Sequence, residues 1–518
     1  MRRGIDLFKL PSFVASQDKN NQPNIGKRLM ERLSGLDASF LYLETNTMLM
    51  HVGFIAVCDA KDMPGGYSFR RIYDLIDSRT QIEPAFRRRL VEIPFNLHHP
   101  LWMDDPAFNI TDHVHQFTLP ENATRRDLGR KIGRIMSRPL DRTRPLWELW
   151  VLEGLEDGQF ALMMKIHHSA VDGVSGTDLM GTLFDKNAVT SITPVNLRAK
   201  GEPIPERKAL LSKALRSRLG GPRRLLKLCG ETFEGGVALV KRRLKEVAPE
   251  RSGPMNAPRT HFNKTIGTNR DVAFAEVSLA DIKAVKNATG STVNDVVLAI
   301  CGGALRKYLE KADDLPDKSL VSMVPISVRK DSKKTETNNQ VSGMWSTLAT
   351  HVADPLERLA LIQKDTKGAK EAHDAVGADL LQNWAEVNAP AAFNLAVRMY
   401  SSSGLADVLA PVHNTIISNV PGPRDALYFG GAKINTLYPL GPVMEAVGLN
   451  ISLASYQDCV GFAFHVDSDL VKDAGQLTGL VKEALHELQV AAGAVSGTVL
   501  KGKALKGKVS KGKVSRAS

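Results

Sequence analysis

Residues 160–166 are apolar at every position but Lys165, the pattern of one buried strand. Polar residues begin where that run ends, at His167 and His168. The preceding run, leading through Leu152, is joined to it by residues 153–158. So short a link predicts an antiparallel pair, which sets Trp147 and Trp150 beside the strand that delivers the histidines. Comparable runs predict strands at 50–58, 272–277, 320–329, 415–423, 447–454 and 460–466. Helical periodicity predicts helices over 70–78, 125–136, 291–308, 355–372, 391–405 and 474–488. Ser291 or Thr292 offers a cap for the 291–308 helix, with Asn294 and Asp295 in its first turn. Residues 34–44 read as a turn carrying apolar side chains.

The pattern changes between 188 and 258. Arg207, Lys208, Lys213, Arg216, Arg218, Arg223, Arg224, Lys227, Lys241, Arg242 and Arg243 alternate there with leucine and alanine. They predict two basic amphipathic helices broken at Gly220, Gly221 and Pro222, a crossover between domains. Their apolar stripe either packs on the protein's own body or lies on an anionic membrane.

A chain of 518 residues with 43% hydrophobic residues is too long for one core and has enough apolar content for two. The sequence divides into a polar extension (1–32), an N-terminal domain (33–187), the basic crossover (188–258), a C-terminal domain (259–492) and a basic tail (493–518). That tail carries six lysines and one arginine from Lys501 onward and no acid, more than half of the net charge of +12. It can touch anionic lipid or nucleic acid electrostatically, or serve solubility alone. Without interleaved aromatics or a recognition motif, specific nucleic-acid binding is not expected. Cys58, Cys229, Cys301 and Cys459 are too scattered for a metal site or a disulfide framework, which fits a reducing, intracellular compartment. No uncharged run approaches the length of a membrane span, so any membrane contact is expected to be peripheral.

The candidate chemistry lies at 167–173. Imidazole titrates nearest neutrality, so His168 at a strand end can take a proton from a hydroxyl and return it. Asp172, four residues on, can fix the ring's tautomer or brace the turn through a basic partner, with Arg329 and Arg144 as candidates. Gly173 allows the chain to reverse through positive φ. The competing reading is a pair of satisfied, half-buried histidines. His98 and His99 form a second pair, but Pro100 follows and no acid or glycine completes a turn, so that pair reads as structural or surface. Asn294, at a helix start where the macrodipole is positive, either meets a developing oxyanion or simply caps the helix.

Together, the HHxxxDG stretch from His167 to Gly173, Pro145-Leu146-Trp147, Asn294-Asp295, the 324–329 strand ending at Arg329, and 418–423 with Asn419, Pro421 and Gly422 resemble the bacterial wax ester synthase/acyl-CoA:diacylglycerol acyltransferase family over about residues 33–490. Residues 50–53 also resemble the family's opening strand. The resemblance implies an α/β protein of two chloramphenicol-acetyltransferase-like domains, mixed sheets flanked by helices, with an active-site tunnel at their interface. It implies His168 as general base, His167 in support, Asp172 as structural carboxylate and Asn294 beside the reaction centre. It implies acyl-CoA as co-substrate, no permanently bound cofactor or metal, and diacylglycerol or a long-chain alcohol as acceptor. The expected location is cytoplasmic, peripheral to the inner membrane face or to lipid inclusions. A non-catalytic lipid-surface protein and a condensation enzyme acting on carrier-protein thioesters are the rivals. No adjoining carrier or adenylation module is expected. Asn338 and Asn339 precede Gln340 where the family pattern has Gly-Asn, and the plant acyltransferases' DFGWG motif is absent.

Overall fold

The structure, a computed structural model, describes residues 30–61, 63–81, 83–171, 176–189, 203–218, 257–327, 341–376 and 390–494. The first half carries β1 (Glu31–Arg32), β2 (His51–Asp59), β3 (Arg88–Val91), β4 (Leu101–Asp104), β5 (Val114–Ala123), β6 (Trp147–Leu155) and β7 (Gln159–His167). The second half carries β8 (Arg270–Ser278), β9 (Val321–Ser327), β10 (Val341–Thr347), β11 (Thr415–Pro421), β12 (Tyr428–Phe429), β13 (Ala432–Leu440), β14 (Leu449–Tyr456) and β15 (Cys459–Asp467). They form two mixed six-stranded sheets, ordered β12-β13-β2-β7-β6-β5 and β10-β9-β11-β14-β15-β8, and a small sheet, β1-β4-β3. The protein is α/β with two sheet-rich domains, and β6 and β7 are the antiparallel pair that the short link predicts. Sheet membership crosses the division at 258, because β13 of the second half pairs with β2 and extends the first sheet.

Both faces of the first sheet are buried, which is why 160–166 reads as a continuous apolar run and not as an alternation. Phe160, Leu162 and Met164 pack on one face with Trp147, Leu149 and Val151. Ala161 and Met163 pack on the other with Leu128, Ile132 and Val272. Lys165 and His167 share the parity of this second face. The Lys165 ammonium is fully buried and donates to the carbonyls of Ile135 (3.2 Å) and Arg138 (2.6 Å), with Glu148 3.5 Å away. It thereby satisfies carbonyls at the end of the helix Arg125–Met136 that have no partner within the helix.

That helix joins the two halves. It begins with a capping box between Thr124 and Asp127, and its glycines lie against the backbone of β8. A Cβ at Gly129 would come 2.0 Å from the Val272 carbonyl, and one at Gly133 would come 2.4 Å from that of Arg270. Arg126 adds a two-pronged pair with Asp271 at the same seam. The second sheet is covered by the helices Val293–Lys311 and Gly475–Ala491.

Two expectations change, and a third is decided between its alternatives. Residues 34–44 are not a turn but the helix Gly35–Leu43, started by Ser34, whose hydroxyl oxygen accepts from the Asp37 N–H (3.1 Å). Strands β1, β3, β4, β5, β10, β12 and β13 lie where no strand was expected. Of the basic crossover, the helix Arg207–Arg218 is described, and its Leu210 is buried with Val91, Ile93, Leu101 and Met103, so this part packs on the protein's own body. Residues 1–29 of the N-terminal extension, residues 190–202 and 219–256 of the crossover, and the tail beyond 494 lie outside the described residues. Among the described residues no single helix is long and apolar enough to cross a membrane.

Candidate functional site

The site is built at the end of β7. His167 stands directly opposite His51 of β2 in the antiparallel register. Between the two rings lies Glu44, the residue that ends the helix Gly35–Leu43. Its carboxylate is 3.6 Å from Nε2 of His51 and 3.6 Å from Nε2 of His167, and it accepts two hydrogen bonds from Arg142, one of them from Nε at 3.1 Å. Burial alone would raise the Glu44 carboxyl, but the His167 contact and the Arg142 guanidinium outweigh it and hold the group at about 2.

His167 is fixed from both sides. Its Nδ1 accepts from the backbone N–H of Ser169 (3.1 Å), which leaves the ring proton on Nε2, facing Glu44. The Ser169 hydroxyl also lies 2.7 Å from Nδ1, so it is engaged with the ring. The His167 backbone N–H donates to the carbonyl of Leu146 (3.0 Å). Pro145, Leu146 and Trp147 are all buried, and the Trp147 indole donates to the Phe86 carbonyl (2.8 Å). This motif therefore clamps the β7 end and leaves its side chains in the core.

His168 opens the short helix His168–Val171 and points elsewhere. Its backbone N–H donates to the Met50 carbonyl (2.8 Å), and its ring stacks on Phe40 with centroids 3.8 Å apart. Nδ1 is buried without a hydrogen-bond partner. Burial, and then neighbouring His167, lower its pKa to about 4, so the imidazole is neutral near pH 7 and able to accept a proton. Phe40 also packs against the apolar cluster of Met48, Met50, Ile266 and Val443. Beside that cluster lies a cavity of about 300 Å³ lined by Leu43, Met48, Ala396, Val397, Tyr400, Met444 and Glu445. An apolar chain fits such a lining, and the Glu445 carboxyl is held there by Ser401 and Thr47.

The remaining candidates fall into two groups. Asn294 lies in the first turn of Val293–Lys311, 3.5 Å from the Asn419 amide on β11. Asp295 is spent on structure, accepting from the N–H and hydroxyl of Thr292 and from Thr366. Pro421 ends β11, and Gly422 meets the Ser455 carbonyl so closely that a Cβ would lie 2.1 Å from it. Asp172, Gly173 and Arg329 lie outside the described residues. Arg144, a candidate partner for Asp172, pairs with Asp112 (2.8 Å) and lies 3.5 Å from Asp141. In the control pair, His99 is buried and its Nδ1 meets the Tyr42 hydroxyl (3.0 Å). Among the described residues no group of three or more His, Cys, Asp or Glu side chains could hold a metal ion.

Sequence reasoning did not single out Glu44, Arg142 and His51. Arg142 stands three residues before Pro145, and a buried countercharge for an arginine beside a buried motif was the available signal.

The sequence matches the family model described as wax ester synthase/diacylglycerol acyltransferase catalytic domain over residues 33–297, and that of the WS/DGAT C-terminal domain over 337–489. It is 34% identical over 479 residues to a candidate diacylglycerol O-acyltransferase of Mycobacterium tuberculosis, covering 92% of this chain and 94% of the relative. The solved wax ester synthase/diacylglycerol acyltransferase from Marinobacter aquaeolei VT8 superposes with a TM-score of 0.63 at 29% identity, over 89% of this chain and all of that one. The starter condensation domain of rhizomide synthetase shares the fold, with a TM-score of 0.51 at 12% identity over 90% and 94% of the two chains.

Proposed function

Because this chain belongs to the wax ester synthase/diacylglycerol acyltransferase family and is an acyltransferase, we propose that it moves a long-chain acyl group from acyl-CoA to the hydroxyl of diacylglycerol, giving triacylglycerol and coenzyme A. The observation that carries this reading is the neutral His168 imidazole, held at the β7 exit against Phe40, which packs on the apolar cluster that Met48 shares with the cavity lining.

In the proposed reaction His168 takes the acceptor's hydroxyl proton as that oxygen attacks the thioester carbonyl. The C–O bond forms and a tetrahedral oxyanion develops. Asn294, with backbone amides, is assigned to stabilise it, a type of contact whose loss costs about 10²- to 10³-fold in rate. Collapse breaks the C–S bond, and the leaving thiolate receives the proton from the imidazolium. No covalent acyl-enzyme is required. Ser169 is an unsuitable nucleophile because it is buried, 1% exposed, and no nucleophile elbow surrounds it. His167, held by Glu44 and Ser169, orients the turn.

A long-chain alcohol is the second acceptor. It is an amphiphile with one terminal hydroxyl, which the same cavity can take, and the solved relative is named for both activities. Supplying palmitoyl-CoA with dioleoylglycerol or with hexadecanol, and identifying the products, tests the assignment. Triacylglycerol as the main product supports it, wax ester alone reverses the acceptor, and no ester from either refutes both.

A further inference from the structure

Exposed large apolar side chains gather around the outer side of the helix that walls the cavity. In the helix Pro390–Ser402, Ala396, Val397 and Tyr400 line the cavity, while Leu395 and Met399, one turn apart, are 60% and 61% exposed. The chain then continues through Leu405, Val408, Leu409 and Val412, all exposed, Val408 by 77%. A separate segment reaches the same place. The turn Pro94–Asn96 packs against this helix and carries Phe95, 82% exposed, with Leu97 exposed beside it. Phe95 and Asn96 both have positive φ, 59° and 49°, a left-handed conformation that strains a non-glycine residue. Here that strain turns a phenylalanine out of the fold.

The surroundings are basic. Arg398 is exposed between Leu395 and Met399. The helix Arg207–Arg218 packs against the same turn and brings Arg207 and Lys208, both exposed. Arg259 holds the carbonyls of Ala406 and Leu409; of the acids nearby, Asp407 is used by the N–H and hydroxyl of Thr265, Glu92 lies 3.5 Å from Arg142, and Glu206 is exposed beside Arg207. Apolar side chains rimmed by cations match a phospholipid surface with anionic headgroups, where binding scales with apolar area buried plus electrostatic attraction.

We infer that the turn 94–97, the helix Pro390–Ser402 and residues 405–412 form a docking surface for an anionic phospholipid layer. Phe95, Leu395, Met399, Val408 and Leu409 enter the headgroup boundary. The helix then sets the cavity within its own thickness of the lipid layer, which shortens the path of a lipidic acceptor to it. That last consequence rests on the proposed transfer to a lipid hydroxyl, and the docking itself does not.

The test is flotation of the full chain with vesicles of phosphatidylethanolamine and phosphatidylglycerol, beside vesicles of phosphatidylcholine. Wild type is expected to bind the anionic vesicles more strongly than the neutral ones. The triple variant F95S/L395S/M399S is expected to lose about tenfold or more in partitioning, whereas Val490→Ser, an exposed apolar residue on the helix Gly475–Ala491, behaves as wild type. Transfer from butyryl-CoA to a water-soluble alcohol reports folding and should be unchanged in the triple variant. If that variant does not fold, Phe95→Trp decides instead, its added fluorescence being quenched by brominated lipid. No vesicle binding by wild type, undiminished binding by a folded triple variant, or no quenching at position 95 would overturn the proposal. So would a wild-type dimer in light scattering that the triple variant loses while neither binds vesicles. Equal binding to both vesicle types would remove the basic rim from it. Vesicle binding without ester formation from any acceptor would refute the acyl-transfer reading and leave the docking surface standing.

Discussion

The carboxylate of Glu44 lies 3.6 Å from Nε2 of His167, and these residues reach each other from the end of a helix and the end of a strand 123 positions apart. Arg142 completes the contact from a third segment. Glu44→Gln keeps the shape and removes the charge, leaving Arg142 with a neutral partner. It is expected to cost about 1.5–3 kcal/mol, the range of hydrogen bonds to charged groups, measured by urea unfolding. In the wild type the depressed carboxyl contributes stability above about 4.5, its ordinary value, and that contribution is lost as pH falls towards about 2. The variant should lack this part of the acid dependence. An unchanged acid profile would remove Glu44 from the account.

The rate should be insensitive to pH on the acid side until far below neutrality. Burial and His167 set the His168 imidazole at about 4 against the ordinary 6.5. The base form therefore persists above about 5, and kcat/KM should fall only as pH drops through about 4. Stopped assays from pH 3.5 to 8, with unfolding monitored in parallel, test this over about four units. An acid limb centred near 6.5 in folded enzyme would contradict it.

Lys165 is expected to matter for stability without touching substrate. Lys165→Met fills similar space but removes the ammonium from the Arg138 carbonyl, while the Ile135 carbonyl keeps the Arg138 N–H and the Glu148 carboxylate keeps the Trp150 indole. A loss of about 1–3 kcal/mol is expected, the cost of leaving a buried polar group without its partner. Thermal unfolding at fixed ionic strength measures it.

The seam between the halves should be sensitive to a single methyl group. Gly129→Ala would place a Cβ 2.0 Å from the Val272 carbonyl, so the helix Arg125–Met136 must move away from β8. Overpacking of this kind costs about 1–3 kcal/mol. Ala substitution at Gly158, where the added atom meets nothing within 4 Å but φ is +71°, separates backbone strain from crowding. Differential scanning calorimetry of the two variants distinguishes these effects.

Much of this arrangement was legible in the sequence because it is local. The β6–β7 pair follows from two apolar runs and a short link, and the bounds of the helix Arg125–Met136 follow from its periodicity. What could not be read depends on distant segments meeting. Glu44 sits in a stretch that looks like a turn until Ser34 is recognised as a helix cap. Strand β13 contains Lys433, Asn435 and Thr436, with a register break between Ile434 and Thr436, which hides its alternation. Asp295 was legible by position, but its use by Thr292 and Thr366 was not, since Thr366 comes from a helix 71 residues away.

The most direct measurement of the central claim is transfer of labelled palmitate from palmitoyl-CoA to dioleoylglycerol by wild type and His168→Ala, both verified as folded. A general base contributes about 10²- to 10⁴-fold, so the variant should fall by that factor, with coenzyme A release and triacylglycerol falling together. Triacylglycerol formation by a folded His168→Ala protein within a few fold of wild type would contradict it.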